Sequence, residues 1–227
     1  MQNVTAVAHR GDPYRARENT IDSLRSALEQ GADAVEIDVR LTRDGVPVLL
    51  HDATLKRLWE QERPLSALSA AEVRGLTEGG VPTLAEALAV TEGSRVMIDL
   101  PGSPDERAVR RVVDVVRECG AQERVYYCAD AQAMLAVRAA DPSAEIALTW
   151  KSVAPPRPAL LAAVRPRWLN YRFTLVDRKL TAQVHRDGHL MSVWTPDTVR
   201  AMRRLLDAGV DSITTNRIDA LCALRKG

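Results

Sequence analysis

The chain has 227 residues, a length that suits one domain of average or slightly large size. Hydrophobic residues make up 46% and charged residues 27%, which excludes intrinsic disorder and low-complexity architecture. Thirty-one basic and thirty acidic side chains leave a net charge of +1, and aromatics are only 4%, so neither a broad basic field nor a base-stacking platform for nucleic acid is expected.

Short β-branched or apolar runs recur at 4–9, 34–41, 46–51, 95–100, 124–129, 145–150, 167–171, 189–194 and 210–215. Most are nearly continuous in apolar residues, the pattern of strands buried on both faces. Helical patterns lie between them. Glu18-Asn19-Thr20 begins the first, either as a cap or as support for a site. Ser69 with Glu72 and Thr83 with Glu86 have capping-box spacing. Ser103-Pro104 and Thr195-Pro196 predict proline at the first helical position after a hydroxyl cap. Asp130 caps a helix to about residue 140, and Gly31, Gly120, Gly188 and Gly209 read as residues that end helices.

The strands at 34–41 and 46–51 are separated by four residues, too few for a parallel crossover, so they predict an antiparallel hairpin. Setting 46–51 aside leaves eight strands, most of them followed by helices. The expected fold is a (β/α)8 TIM barrel spanning 1–227 as one domain, with an extra β-hairpin strand after strand 2. The alternative is a doubly wound sheet, which would want a glycine-rich phosphate turn after the first strand; His9-Arg10-Gly11-Asp12 has no G-x-G-x-x-G. Residues 53–80 read as loop plus one helix, and a short proline-rich piece at 154–158 interrupts the later half.

Cys119, Cys128 and Cys222 are odd in number and lack CxxC spacing, which disfavours a disulfide framework or zinc ribbon and suits a reducing compartment. No apolar run approaches the ~18–20 residues of a membrane span, so stable membrane insertion is not expected. The opening MQNVTAVAHRGD lacks the long apolar region of a signal peptide, and the cytoplasm is the expected compartment.

Two histidines, His9 and His51, end predicted strands, and each precedes a charged residue. A barrel carries its active site at the strand C-termini, which places His9 there. Glu36 and Asp38 alternate with Val35, Ile37 and Val39, so both carboxylates share one strand face. Pointing inward, two ionised acids want a cation between them, and hard oxygen ligands suit Mg²⁺ or Ca²⁺; pointing outward, they would meet helix arginines. If Leu41 pairs with Val46, His51 lies opposite Glu36; a slip of one residue would turn it to the other face. Asp99, inside an apolar strand, is either a third ligand or a strand-end cap. Trp194 ends a late strand and reads either as pocket wall or as barrel packing. His185 and His189 have HxxxH spacing, but Gly188 ends that helix and keeps them off one face.

The segments AHRGDPYRARENT, EIDVRLTRDGVPVLLHD, VPTLAEAL and SVWTPDTVRAMRRLLDAGVDSITTNRIDAL, in that order over nearly the whole chain, resemble the glycerophosphodiester phosphodiesterase family. The resemblance implies a TIM barrel that hydrolyses small-molecule glycerophosphodiesters to glycerol 3-phosphate and an alcohol. It puts the catalytic histidines on His9 and His51 and the phosphate-binding arginine on Arg10. It puts the metal-binding acids on Glu36, Asp38 and Asp99, the last usually a glutamate. Pro101 stands where the family usually has a lysine, and Asn216 where it often has an aspartate. A sphingomyelinase D-like branch is also similar and can use aspartate at the third acid. The implied mechanism is metal-assisted acid–base cleavage, one histidine taking a proton from the nucleophile and the other protonating the leaving alkoxide. Two alternatives are a barrel that binds phosphodiesters with little or no turnover, suggested by Pro101, and a lysolipid-directed phosphodiesterase. A zinc hydrolase would want an HxH pair on the first strand, which this chain lacks.

Overall fold

The computed structural model describes residues 4–102 and 104–226. The nine expected strands all form: β1 (Thr5–His9), β2 (Ala34–Leu41), β3 (Pro47–Leu49), β4 (Arg95–Asp99), β5 (Val125–Ala129), β6 (Glu145–Trp150), β7 (Trp168–Arg172), β8 (Leu190–Trp194) and β9 (Ser212–Thr215). Eight run parallel in the order β1-β9-β8-β7-β6-β5-β4-β2, and β1 also pairs with β2, which closes them into a barrel. β3 lies outside, antiparallel to β2. Closure rules out the doubly wound sheet.

Helix α1 (Ile21–Glu29) follows β1, and α2 (Lys56–Trp59), α3 (Ala70–Leu76) and α4 (Leu84–Val90) follow the hairpin. Then α5 (Glu106–Glu118), α6 (Ala131–Ala140), α7 (Pro158–Val164), α8 (Arg178–Arg186), α9 (Val199–Ala208) and α10 (Ile218–Lys226) follow β4 to β9 in turn. The capping boxes at Ser69 and Thr83 form, Thr20 caps α1, and Asp130 accepts from the Ala133 amide at 3.0 Å. Gly31, Gly120, Gly188 and Gly209 end helices as expected.

Two helix starts differ from the sequence reading. Ser103 lies outside the described residues, and α5 is capped instead by Asp105, which accepts from the Ala108 amide at 2.7 Å. Pro196 does not open α9; Thr198 caps it. Residues 195–197 are held against the end of β9, where the Pro196 carbonyl accepts from the Thr215 hydroxyl at 2.8 Å. That contact delays the helix.

Alternation along β2 sorts the side chains. Val35, Ile37 and Val39 pack between barrel and helices, with Leu84 of α4 and Val112 of α5 in the same cluster. Full burial of each such side chain contributes roughly 1.5–3 kcal/mol. Val7, Ala34, Met97, Tyr126 and Trp168 form a second cluster. They share the inward strand face with Glu36 and Asp38, which are 3% and 1% exposed.

The hairpin register is one residue from the expected one. Leu41 pairs with Pro47, not Val46, because Val46 closes the turn: its carbonyl accepts from the Thr42 amide and its amide donates to the Thr42 hydroxyl. In strict continuation this register would turn His51 away from Glu36. However, β3 stops at Leu49; the Leu50 amide still reaches the Asp38 carbonyl at 3.0 Å, and the chain then bends. His51 therefore enters the barrel mouth from a bend and not from a strand.

Residues 53–80 carry more than one helix. Besides α2 and α3 they include a 3-10 turn at Leu65–Ala67. Leu55, Leu65, Leu68 and Val73 fold over Val48 and Leu50, the outer face of the hairpin, as a small core of their own. Among the described residues no helix is long and apolar enough to cross a membrane.

Candidate active site

The turn after β1 sets the first part of the site. Arg10 adopts φ +59° and Gly11 φ +83°. A Cβ on Gly11 would meet the Ser23 Oγ at 2.5 Å and its backbone carbon at 2.6 Å, so only glycine lets this turn lie against α1. The left-handed conformation at Arg10 carries strain of order 1–3 kcal/mol. The turn directs the Arg10 amide onto Glu36 Oε2 at 2.9 Å.

Three carboxylates converge at the mouth. β1 aligns His9 with Glu36, and β4 aligns Asp99 with Asp38. Glu36, Asp38 and Asp99 each present an oxygen within 4.8 Å of the others. Burial, with Asp38 and Asp99 alongside, pushes the Glu36 carboxyl well above the usual range. Burial and Asp38 push Asp99 up to about 7. Arg10 answers part of this charge: Nη1 donates to Glu18 Oε1 at 2.9 Å, and Nε lies 3.0 Å from Asp38 Oδ2. The latter contact is ionic only, because its alignment makes no hydrogen bond and leaves the buried Nε–H unpartnered. Asn19 Nδ2 donates to the same Asp38 oxygen at 2.8 Å. Hard oxygens this close, with so little counter-charge, fit a divalent cation.

Each mouth histidine is fixed through Nδ1. Asn216 Nδ2 donates to Asp197 at 2.8 Å, which orients its amide so that Oδ1 accepts from His9 Nδ1 at 2.8 Å. His51 Nδ1 lies 2.7 Å from Asp52 Oδ1. Neither Nε2 makes a hydrogen bond among the described residues; that of His9 lies 3.9 Å from Glu36 Oε2. Burial, with Arg10 beside it, lowers the His9 pKa below the ordinary imidazole value.

A cavity of about 450 Å³ opens at the strand C-termini, and His9, Arg10, Glu36, Asp38, His51, Asp99 and Trp194 all line it. Glu18 does not; it stands behind Arg10 and pairs there with both Arg10 and Arg57. Pro101 and Lys151 are on the wall. Cys128, Thr149 and Asn170 form a hydrogen-bonded cluster in it, with the Asn170 amide donating to the Cys128 sulfur at 3.1 Å. His185 and His189 have separate partners, Asp211 and the Pro166 carbonyl, and neither lines the cavity.

Sequence reasoning missed the supporting polar residues. Asp52 and Asp197 sit in loops and Arg57 in the single-turn α2, where no periodicity marks them; Asn19 and Asn216 were noted, but without the partners the structure gives them. For Asp52 the one signal was its adjacency to His51.

The model of the "Glycerophosphoryl diester phosphodiesterase family" matches residues 9–220. A "Glycerophosphodiester phosphodiesterase" of Caldanaerobacter subterraneus subsp. tengcongensis is 28% identical, over 97% of this chain and 98% of that one. A "Probable glycerophosphodiester phosphodiesterase 2" of Mycobacterium tuberculosis is 29% identical, over 95% of this chain and 88% of that one. Among solved structures, an Oleispira antarctica phosphodiesterase in complex with the product sn-glycerol-3-phosphate superposes with a TM-score of 0.91. It is 22% identical, over 98% of this chain and 97% of that one, and shares the fold.

Proposed function

The chain belongs to the glycerophosphoryl diester phosphodiesterase family, and we propose that it hydrolyses glycerophosphodiesters to glycerol 3-phosphate and an alcohol, with His9 and His51 as the proton-transfer pair. One observation carries the mechanism: both imidazoles, each anchored through Nδ1, line a single cavity with Arg10 and three clustered carboxylates. Glu36, Asp38 and Asp99 would hold a divalent cation, Mg²⁺ or Ca²⁺, which when bound supplies positive charge to a non-bridging phosphate oxygen. Arg10 adds its unpartnered Nε–H to the phosphate as a charge-assisted hydrogen bond.

His9 is the base. Burial and Arg10 favour its neutral form, and its Nε2 takes the proton of the attacking hydroxyl, from water or from the adjacent glycerol carbon. A P–O bond forms as the P–O bond to the alcohol breaks. His51 is the acid; the Asp52 carboxylate balances its imidazolium, and its Nε2 proton goes to the departing alkoxide. Each transfer is worth ~10²–10⁴-fold. If the glycerol hydroxyl attacks, a cyclic phosphate forms and water opens it with the histidine roles exchanged. Residues 1–227 form one catalytic domain in this reading, and three free thiols suit the cytoplasm.

The test is choline or ethanolamine release from the corresponding glycerophosphodiesters with Mg²⁺, Ca²⁺ or chelator, beside His51→Ala. Metal-dependent release lost in the variant supports the reading. Folded protein that releases nothing from any diester or lysolipid overturns it in favour of a binding barrel.

A further inference from the structure

The geometry points to Lys151 as a second phosphate-holding cation of this cavity, beside Arg10, and as the residue that sets how tightly the monoester product is retained. The inference rests on the reading above. Lys151 follows β6 at the barrel mouth and lines the same cavity as His9, Arg10 and Trp194. It is exposed, and its ammonium makes no ion pair or hydrogen bond among the described residues. The other full cation on the wall, Arg10, is held between Glu18 and Asp38. Arg40 does not line the cavity; its Nε is spent on the His51 carbonyl at 2.8 Å.

The charge on the wall makes this matter. Four carboxylates, Glu36, Asp38, Asp99 and Asp130, line the cavity with Arg10 and Lys151. A divalent cation on the first three only brings such a wall to balance. An entering phosphate is then a further negative charge; Arg10 can offer it its Nε–H, and Lys151 is the full cation free to turn toward it. Its ammonium sits on a flexible four-carbon stem and has three donors to turn toward phosphate oxygens. A diester carries one negative charge, whereas a phosphate monoester carries about 1.5–2 at pH 7. Lys151 therefore favours product over substrate, and the product leaves against it.

The experiment is calorimetric titration of the Mg²⁺-loaded protein with glycerol 3-phosphate, for the native chain, Lys151→Met and Lys151→Arg, with diester hydrolysis measured on the same samples. Lys151→Met is expected to weaken glycerol 3-phosphate about tenfold or more, as loss of a charge-assisted contact does. Its KM for the diester should move less than its product affinity. Lys151→Arg should stay within about threefold of native, since the charge remains. Unchanged product affinity in Lys151→Met, or an equal loss in Lys151→Arg, overturns the assignment while intact hydrolysis leaves the hydrolase reading standing. A native protein that neither binds the monoester nor hydrolyses the diester removes both.

Discussion

Arg57 donates to both carboxylate oxygens of Glu18, Nη2 to Oε1 at 2.6 Å and Nη1 to Oε2 at 3.1 Å, across 39 residues of sequence. Its Nε also donates to Asp52, the partner of His51. The guanidinium thus fastens the segment that carries His51 to the loop that carries Arg10. Arg57→Ala should lower kcat/KM about 10–100-fold, the scale of a supporting partner lost behind a reactive group. The pair is partly exposed, so the stability cost should be small, about 0–1 kcal/mol. Steady-state kinetics and a thermal melt on one preparation separate the two; a large melting shift with normal turnover would contradict this role.

Asn216 fixes the tautomer of His9, and the pH profile should report it. Because burial and Arg10 lower the His9 pKa, the neutral base persists as pH falls, and the acidic limb of kcat/KM should lie below about 6.5. Asn216→Asp puts a carboxylate against the ring, favours the imidazolium and should move that limb to higher pH. A limb that stays in place would remove His9 as the base.

The three acids should make the metal-free protein less stable as pH rises. A carboxyl raised to about 7 is protonated in the folded state and ionised in the unfolded one, so its penalty is absent below about pH 4 and full above about pH 7. Asp99→Asn removes this repulsion. Without metal it should melt higher than the native chain at pH 7.5, and Mg²⁺ should raise its melting temperature less than it raises that of the native chain. Scanning calorimetry with and without chelator checks both signs.

Much of this was legible in advance because barrel strands are written with a period of two. The alternation of Glu36 and Asp38 with Val35, Ile37 and Val39 put both carboxylates on one face, and the barrel turns that face inward. His51 was harder. The register that would set it opposite Glu36 is shifted by one at the Thr42–Val46 turn, and His51 reaches the cavity because β3 ends two residues before it. Leu55, Leu65 and Leu68 form a core without a helical or strand period, so the insertion read as loop plus one helix. Asn216 was noted only as a departure from the family's usual aspartate; the fold reveals that it faces a histidine 207 positions away.

Stability and catalysis should separate at Glu145. This carboxylate, at the start of β6, accepts from Arg95, Arg167 and the Trp168 indole and does not line the cavity. Burial opposes its ionisation, but hydrogen bonds from Arg95 and Trp168 prevail and hold its pKa below the usual value. Its contribution is therefore present above the unfolded pKa and lost as pH falls through the folded one. Glu145→Gln should cost about 1–2 kcal/mol at pH 7 by urea unfolding, a difference that fades in acid, with turnover per folded molecule unchanged.

The barrel closes where β1 meets both β2 and β9, and the His9–Asn216 contact spans that seam. A chain emerging from the ribosome has β1 in hand long before β9. Until the last strand is released and docks, His9 lacks its acceptor and the barrel has an open side. The onset of hydrolysis during translation should consequently mark the moment of ring closure, and a chain stalled before residue 212 should be silent even with both histidines and all three acids already made.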